Sequence, residues 1–301
     1  MIWATILVIV AVVVILPFAF EAQRMQINDD MRRRSSGRFS GPTHFRWHGP
    51  ENGPVIVAVH GLTAPSIVWH GVIPHLTSQG FRVLAYDLPG RGFSDVVHGP
   101  HSIAIFCDQL RDLLLAQKIT QPVVLLGYSM GASIVTAYAA THRDQVRSVL
   151  LLAPAGVVMR ETLFDRLCRI LPGTGDWMHA AFAAGRARRG SQKPAEIAQM
   201  QTFQLARRGY LPAVLASRRG ALTEILEREH RILAKQNVPV GAIWAEMDSV
   251  IPLVAMGQLA AWNGAAHHDC VAGASHGVPY THPDAVAAAI LAMLAVHGQI
   301  S

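Results

Sequence analysis

The sequence has little cysteine, and what it has shows no paired spacing. Cys107, Cys168 and Cys270 are the only three in 301 residues, too far apart for a redox or zinc motif. That excludes a disulfide scaffold and points to small apolar thiols in a reducing compartment. Clustered metal-ligating carboxylates and a glycine-rich phosphate loop are also missing, so no metal or nucleotide cofactor is expected. Internal repeats and low-complexity tracts are absent, which removes solenoids and arrays. A net charge of +6 and a pI near 9.6 raise nucleic acid as a partner. No recognisable nucleic-acid-binding motif accompanies that charge, and no such binding is expected.

Apolar residues, by contrast, make up 51% of the chain, ample for a buried core in one large domain or two modest ones. Residues 2–20 are nineteen positions without a charge, about 28 Å as a helix, enough to cross a hydrocarbon core. A cleaved signal peptide would show Lys or Arg ahead of a shorter apolar run and small residues at a cleavage site. Nothing basic precedes Ile2, and Phe20-Glu21-Ala22 is a poor cleavage site. Residues 1–24 are therefore expected to be an uncleaved single-pass anchor and its flank. Arg24, Arg32, Arg33, Arg34 and Arg38 follow closely, which by the positive-inside rule leaves the body of the chain in the cytoplasm. A start at Met25 or Met31 would instead remove the span. Residues 25–42, polar and Arg-rich, read as a linker.

Beyond the linker the pattern alternates. Apolar, β-branched runs at residues 55–59, 82–86, 123–128, 146–152 and 239–245 predict strands, and 43–47 and 267–271 are expected to add a first and a last strand to the same pattern. Helical periodicity marks residues 67–76 (broken by Pro74), 103–118, 132–140 and 283–296. Interleaved strands and helices predict an α/β fold with a mostly parallel sheet covered on both faces. Residues 155–237 interrupt the alternation with helical pieces only, broken at Pro172-Gly173, Gly190, Pro194, Gly209 and Gly220. They carry fourteen Lys and Arg against seven Asp and Glu. A core in two parts is expected, 43–154 and 238–301, on either side of this basic insert.

Chemistry gathers where the predicted strands end. The run at 123–128 passes through Gly127-Tyr128-Ser129-Met130-Gly131 into a helix, and strand, tight turn, helix is the setting in which Gly-x-Ser-x-Gly makes a nucleophile elbow. Ser129 must take a strained backbone there, and side chains two residues away would clash as strand and helix converge. A serine hydroxyl is a poor nucleophile until an imidazole takes its proton, and the imidazole needs a carboxylate to fix its tautomer. Of the fifteen histidines, His276 follows the last strand in a Gly/Ser loop, at the sheet edge where ligands bind. His267, His268 and His282 are nearby rivals that read as strand-face or surface residues. Asp248 follows the strand ending Ile243-Trp244-Ala245 and completes the chain order Ser–Asp–His. Glu246 competes from two residues earlier. The end of the strand at 146–152 offers Ala153-Pro154-Ala155-Gly156 and no carboxylate.

His60-Gly61, Asp87-Leu88-Pro89-Gly90-Arg91-Gly92-Phe93-Ser94, the Ser129 elbow, Glu246-Met247-Asp248-Ser249-Val250-Ile251-Pro252 and Gly273-Ala274-Ser275-His276-Gly277 follow one another, each after a strand. With these motifs the chain resembles the α/β-hydrolase superfamily, in its serine hydrolase branch with a helical cap, from about residue 43 to 297. The resemblance implies that 155–237 is the cap and that Asp248 is the acid. It also implies an oxyanion hole built from the backbone N–H groups of Leu62 and Met130. His60 is expected to brace its loop, and the loop at 87–94 to be a structural turn.

The function implied is a membrane-tethered serine hydrolase that cleaves carboxylic esters, acylglycerols or other apolar acyl compounds among them, through an acyl-enzyme. Carbon–carbon hydrolysis of a ring-cleavage product by the same three residues is one alternative, although such relatives often carry Gly-Gly where this chain has Gly131-Ala132. A non-catalytic binding protein on the same fold is another. Dehalogenase and epoxide hydrolase relatives use an aspartate nucleophile, which Ser129 argues against.

Overall fold

A computed structural model of the chain describes residues 1–158, 163–171, 175, 178–179 and 193–298. Eight strands form one sheet: β1 (Arg38–Ser40), β2 (Thr43–His48), β3 (Val55–Val59), β4 (Arg82–Tyr86), β5 (Val123–Tyr128), β6 (Val146–Leu152), β7 (Val240–Ala245) and β8 (His267–Val271). Their spatial order is β1-β2-β4-β3-β5-β6-β7-β8. β1 and β2 run antiparallel at one edge, β2 pairs antiparallel with β4, and the remaining neighbours are parallel. The mostly parallel α/β sheet expected from the alternation is the sheet that forms.

The central strands β3 to β7 are almost wholly buried because both faces are covered, whereas β1, β2 and β8 toward the sheet edges carry polar or exposed residues. Successive residues of β5 enter opposite cores: Leu125 joins Val57, Leu84 and Leu151 on one face, and Leu126 joins Ile56, Val83 and Leu150 on the other. Five helices precede the basic insert: α1 (Ile2–Ala22), α2 (Asp29–Arg34), α3 (Ile73–Ser78), α4 (Ile103–Ala116) and α5 (Met130–Thr141). α4 and α5 cover the Leu125 face together with helices Glu227–Lys235 and Val254–Trp262. α3 and helix Pro283–Val296 cover the other face. The spacing Ile103, Phe106, Leu110, Leu113 places one stripe of α4 in the core, as a 3.6-residue period requires.

Three sequence expectations differ from the fold. Residues 67–76 are not one helix broken at Pro74: a 3-10 turn at Ser66–Trp69 precedes α3, and Pro74 lies in the first turn of α3, where its missing N–H disturbs no helical bond. Residues 25–42 are held down rather than left as linker. Asn28 caps α2 by accepting from the Met31 N–H at 2.9 Å, and β1 extends the sheet edge. Met25 bridges to the insert, donating to Ala206 O at 3.1 Å and accepting from Arg208 N–H at 2.8 Å. Composition showed the polarity of this stretch but not its distant partners. Lastly, helix Glu227–Lys235 packs on α5 with Leu233 in the sheet core, so core packing resumes before residue 238. Of the expected breaks in the insert, Pro194, Gly209 and Gly220 do flank helices. Pro172-Gly173 and Gly190 lie outside the described residues.

α1 is a 21-residue helix of mean hydropathy 2.9, with none of its apolar stretch buried against the rest of the chain, and is long and apolar enough to cross a membrane.

His230 carries a stability prediction. It is 1% exposed and stacks on Trp262 at 6.0 Å, and burial pulls its pKa down to about 4. Folded His230 therefore stays neutral while the unfolded chain takes up a proton below about pH 6.5. Stability should fall as pH drops through that window, with a His230 share of about 2 kcal/mol at pH 5. Urea midpoints measured at pH 7.5 and pH 5 should differ, and His230→Phe should flatten part of the difference. An undiminished difference in the variant would contradict this assignment.

Candidate active site

Ser129 joins β5 to α5 with φ 54° and ψ −118°, a backbone region that residues other than glycine avoid. Its neighbours over-determine the turn. The Ser129 N–H donates to Leu152 O at 2.9 Å, and its carbonyl accepts from Ala132 N–H at 2.9 Å and Ala155 N–H at 3.2 Å. A Cβ on Gly127 would stand 2.5 Å from Gly131 O, and one on Gly131 would stand 2.2 Å from Val59 O. Strand and helix thus close to backbone contact on both sides of the serine, which only glycine permits.

The loops after β7 and β8 bring two further side chains to Ser129. His276 Nε2 lies 3.1 Å from Ser129 Oγ, and His276 Nδ1 lies 2.7 Å from Asp248 Oδ2. Because a carboxylate accepts, Nδ1 carries the hydrogen and Nε2 presents its lone pair to the serine hydroxyl. The other Asp248 oxygen accepts from Val250 N–H at 2.7 Å and Ile251 N–H at 2.9 Å. The Asp248 side chain is 1% exposed and that of His276 is 24% exposed, so the acid is sheltered while the imidazole edge meets solvent. Glu246 faces solvent and accepts from Gly273 N–H at 2.7 Å, tying the β7 and β8 loops together. The other histidines are engaged elsewhere. His267 is exposed on β8, His268 Nδ1 accepts from Trp244 Nε1–H at 3.1 Å, and His282 lies 2.9 Å from Thr281 Oγ1 at the start of helix Pro283–Val296.

Met130 is the first residue of α5, at the positive end of the helix dipole. Leu62 follows Gly61, whose added Cβ would lie 3.1 Å from Ser129 Cβ, so the 61–63 loop rests against the serine. Two side chains hold that loop from its far side. Arg91 Nε donates to Leu62 O at 3.0 Å, and Tyr210 OH donates to Thr63 O at 2.9 Å. Arg91 is fully buried and spends its other nitrogens on Pro89 O at 2.7 Å and Ser217 Oγ at 2.8 Å. Burial lowers its pKa to about 10.

His60 uses both ring nitrogens as a brace, Nδ1–H donating to Gly61 O at 2.7 Å and Nε2 accepting from Leu88 N–H at 2.9 Å. Burial drives its pKa down to about 4. Asp87 anchors the turn at 87–94 by accepting from Ser66 N–H at 2.9 Å, Ser66 Oγ–H at 2.7 Å and Phe93 N–H at 3.1 Å, with His44 Nδ1 at 2.7 Å. Burial opposes its charge, but His44 and these donors outweigh it and hold the carboxyl well below the usual carboxylate range. His44 and His48 have an i,i+4 spacing, yet they lie on β2, where four residues span about 13 Å instead of one helical turn. Among the described residues no group of three or more His, Cys, Asp or Glu is placed to hold a metal ion.

Sequence reasoning missed Arg91, Tyr210 and Tyr128. Tyr128 OH donates to His276 O at 2.7 Å, and its ring lies 5.4 Å from the imidazole. Arg91 stood within a recognised turn motif and Tyr128 within the elbow, so a signal of place existed for both. Tyr210 had none, since its partner is 147 residues away.

A sequence profile of the family described as alpha/beta hydrolase fold matches residues 54–283. An uncharacterized protein of Mycobacterium tuberculosis is 32% identical over 123 residues, which are 41% of this chain and 36% of that protein. The chain thus matches about a third of the length of that relative. The pimeloyl-acyl-carrier-protein methyl ester esterase of Aeromonas salmonicida is 25% identical over 240 residues, 77% of this chain and 91% of the esterase. In fold, the chain is similar to the crystal structure of the enol-lactonase from Burkholderia xenovorans LB400, with a TM-score of 0.70 at 22% identity over 84% of this chain and 96% of the lactonase.

Removing single braces should have graded effects. Tyr128→Phe should destabilise by about 1 kcal/mol, the usual worth of one hydrogen bond. Arg91→Met leaves Leu62 O and Ser217 Oγ without their buried donor and should cost roughly 2–4 kcal/mol. Urea denaturation of the two variants checks the order, and a larger loss in Tyr128→Phe would contradict it.

Proposed function

The chain belongs to the α/β-hydrolase fold family, and on that footing we propose that it is a serine hydrolase of carboxylic esters working through an acyl-enzyme. The observation that carries this reading is the linked pair of contacts from Ser129 Oγ to His276 at 3.1 Å and from His276 to Asp248 at 2.7 Å. Ser129 is the nucleophile: its proton passes to His276 Nε2 as Oγ attacks the ester carbonyl carbon. The backbone N–H groups of Leu62 and Met130 stabilise the oxyanion that forms. His276 then protonates the departing alkoxide, and a water activated by the same imidazole releases the acid. Asp248 keeps the hydrogen on Nδ1 and offsets the imidazolium charge. A methyl ester esterase and an enol-lactonase among the similar proteins support an ester bond as the target.

The substrate class proposed is apolar acyl esters met at a membrane. α1 is the anchor in this reading, supported by its length, its mean hydropathy of 2.9 and its exposed surface. Arg24, Arg32, Arg33 and Arg34 after it favour a cytoplasmic body. The insert, expected over 155–237, is the cap that lines the acyl pocket.

A fluorophosphonate probe should label the wild type at Ser129 and leave Ser129→Ala unlabelled; equal labelling of both would sink the serine mechanism. Because the three residues act as a unit, His276→Ala should slow ester hydrolysis on the order of 10⁴-fold, and Asp248→Asn by orders of magnitude through the wrong tautomer. Glu246→Gln should cost less than about tenfold, since its bond closes a loop and does not touch the imidazole. The reverse ranking of Asp248 and Glu246 would remove Asp248 from its role.

Anchoring is tested separately. The full chain should stay with membranes through a carbonate wash, and a form lacking residues 2–20 should be released. A full chain that washes off would refute the anchor.

A further inference from the structure

A cavity of about 730 Å³ lies between the end of α1, the loop at 95–101 and helix Tyr210–Arg219. That volume is in the range of small-molecule sites. Ser129, Asp248 and His276 are not among its walls. Much of the wall is apolar, from Phe18, Ala22, Val96, Val97, Pro212 and Ala216. Its charges are unevenly matched. Glu21 is occupied by Arg24 at 2.9 Å and by the Gly209 N–H, and Asp95 by Arg32. Two cations on the lining have no such carboxylate. Arg207 is 2% exposed and donates to Gly92 O at 2.6 Å and to Ser94 O, yet its Nε has no hydrogen-bond partner. Arg208 is exposed at the rim, and its side chain makes no hydrogen bond or ion pair among the described residues; Glu21 feels its charge only at a distance.

An exposed arginine at the rim, without an ion-pair partner among the described residues, backed by the positive charge of buried Arg207 and set beside apolar walls, fits a ligand with one negative head and one hydrocarbon tail. Phe18 and Ala22 belong to the last turns of the apolar helix, so the mouth of the cavity would sit where that helix leaves a bilayer. We propose that this cavity binds a single-chain lipid with a carboxylate head, a long-chain fatty acid, with the head at Arg208 and the chain along Val97, Pro212 and Ala216. The inference rests on the anchoring reading only for the source of the lipid. The binding chemistry stands on the cavity itself and does not require Ser129 to be a nucleophile.

The test uses a photoreactive palmitate analogue on the full chain in nanodiscs of zwitterionic lipid, with adducts mapped by mass spectrometry. Adducts are expected within residues 95–101 and 210–216, equally in the wild type and in Ser129→Ala, which separates this site from the hydrolase reading. Palmitate should compete, whereas hexadecanol and inorganic phosphate should not. Ala216→Trp, which fills the cavity, and Arg208→Glu, which reverses the exposed rim charge, should each cut the yield about tenfold. Adducts confined to residues 2–20, or unchanged by both variants, would overturn the proposal. Competition by hexadecanol as strong as by palmitate would overturn the anionic head, and competition by inorganic phosphate would assign Arg208 to a free anion instead.

Discussion

The structure turns on one strained residue. Ser129 is held at positive φ because β5 and α5 meet at backbone distance, with Gly127 and Gly131 leaving no room for side chains and Val59 O closing the gap from β3. A turn of this kind costs about 1–3 kcal/mol and persists only where its surroundings over-determine it. The surroundings here are a covered part of the sheet, with every residue of β5 buried. The packing of the central strands is therefore what allows a hydroxyl to project from the sheet's C-terminal edge toward His276.

Around that turn, three buried ionisable groups hold the loops in place. His60, Asp87 and Arg91 all lie below the surface between β3, β4 and the insert, and each has defined partners. Burial alone would penalise each charge. Asp87 keeps its negative charge through four donors, His60 stays neutral, and Arg91 satisfies three carbonyl or hydroxyl oxygens. The outcome is a fixed loop at 61–63, pressed against Ser129 on one side and held by Arg91 and Tyr210 on the other. Since Tyr210 and Ser217 belong to the insert, the insert also sets the geometry of the loop beside Ser129.

The N-terminal helix is joined to this same region. Glu21 meets Gly209, Arg24 meets Leu205 O, and Met25 pairs with the backbone at 206–208. Helix Tyr210–Arg219 begins directly after those contacts. The apolar helix is thus coupled to the body of the protein by a short hydrogen-bonded joint instead of a free tether, and the cavity beside that joint is a product of the docking.

Local sequence determined the seven strands from β2 onward, the elbow and the chain order of Ser129, Asp248 and His276. Apolar runs of β-branched residues, a Gly-x-Ser-x-Gly turn and loops rich in Gly and Ser are patterns read within ten or fifteen positions, because strand burial and turn sterics are local. The choice between Asp248 and Glu246 was not local. Both follow β7, and only the path of the β8 loop directs one carboxylate to His276 and the other to Gly273. The same holds for Tyr210 on Thr63, Arg91 on Ser217 and Met25 on Arg207, partners 147, 126 and 182 positions apart. Those contacts follow from how the insert folds back over the sheet edge, which polarity and periodicity do not encode. The same folding made residues 25–42 part of the body rather than the linker their composition suggested.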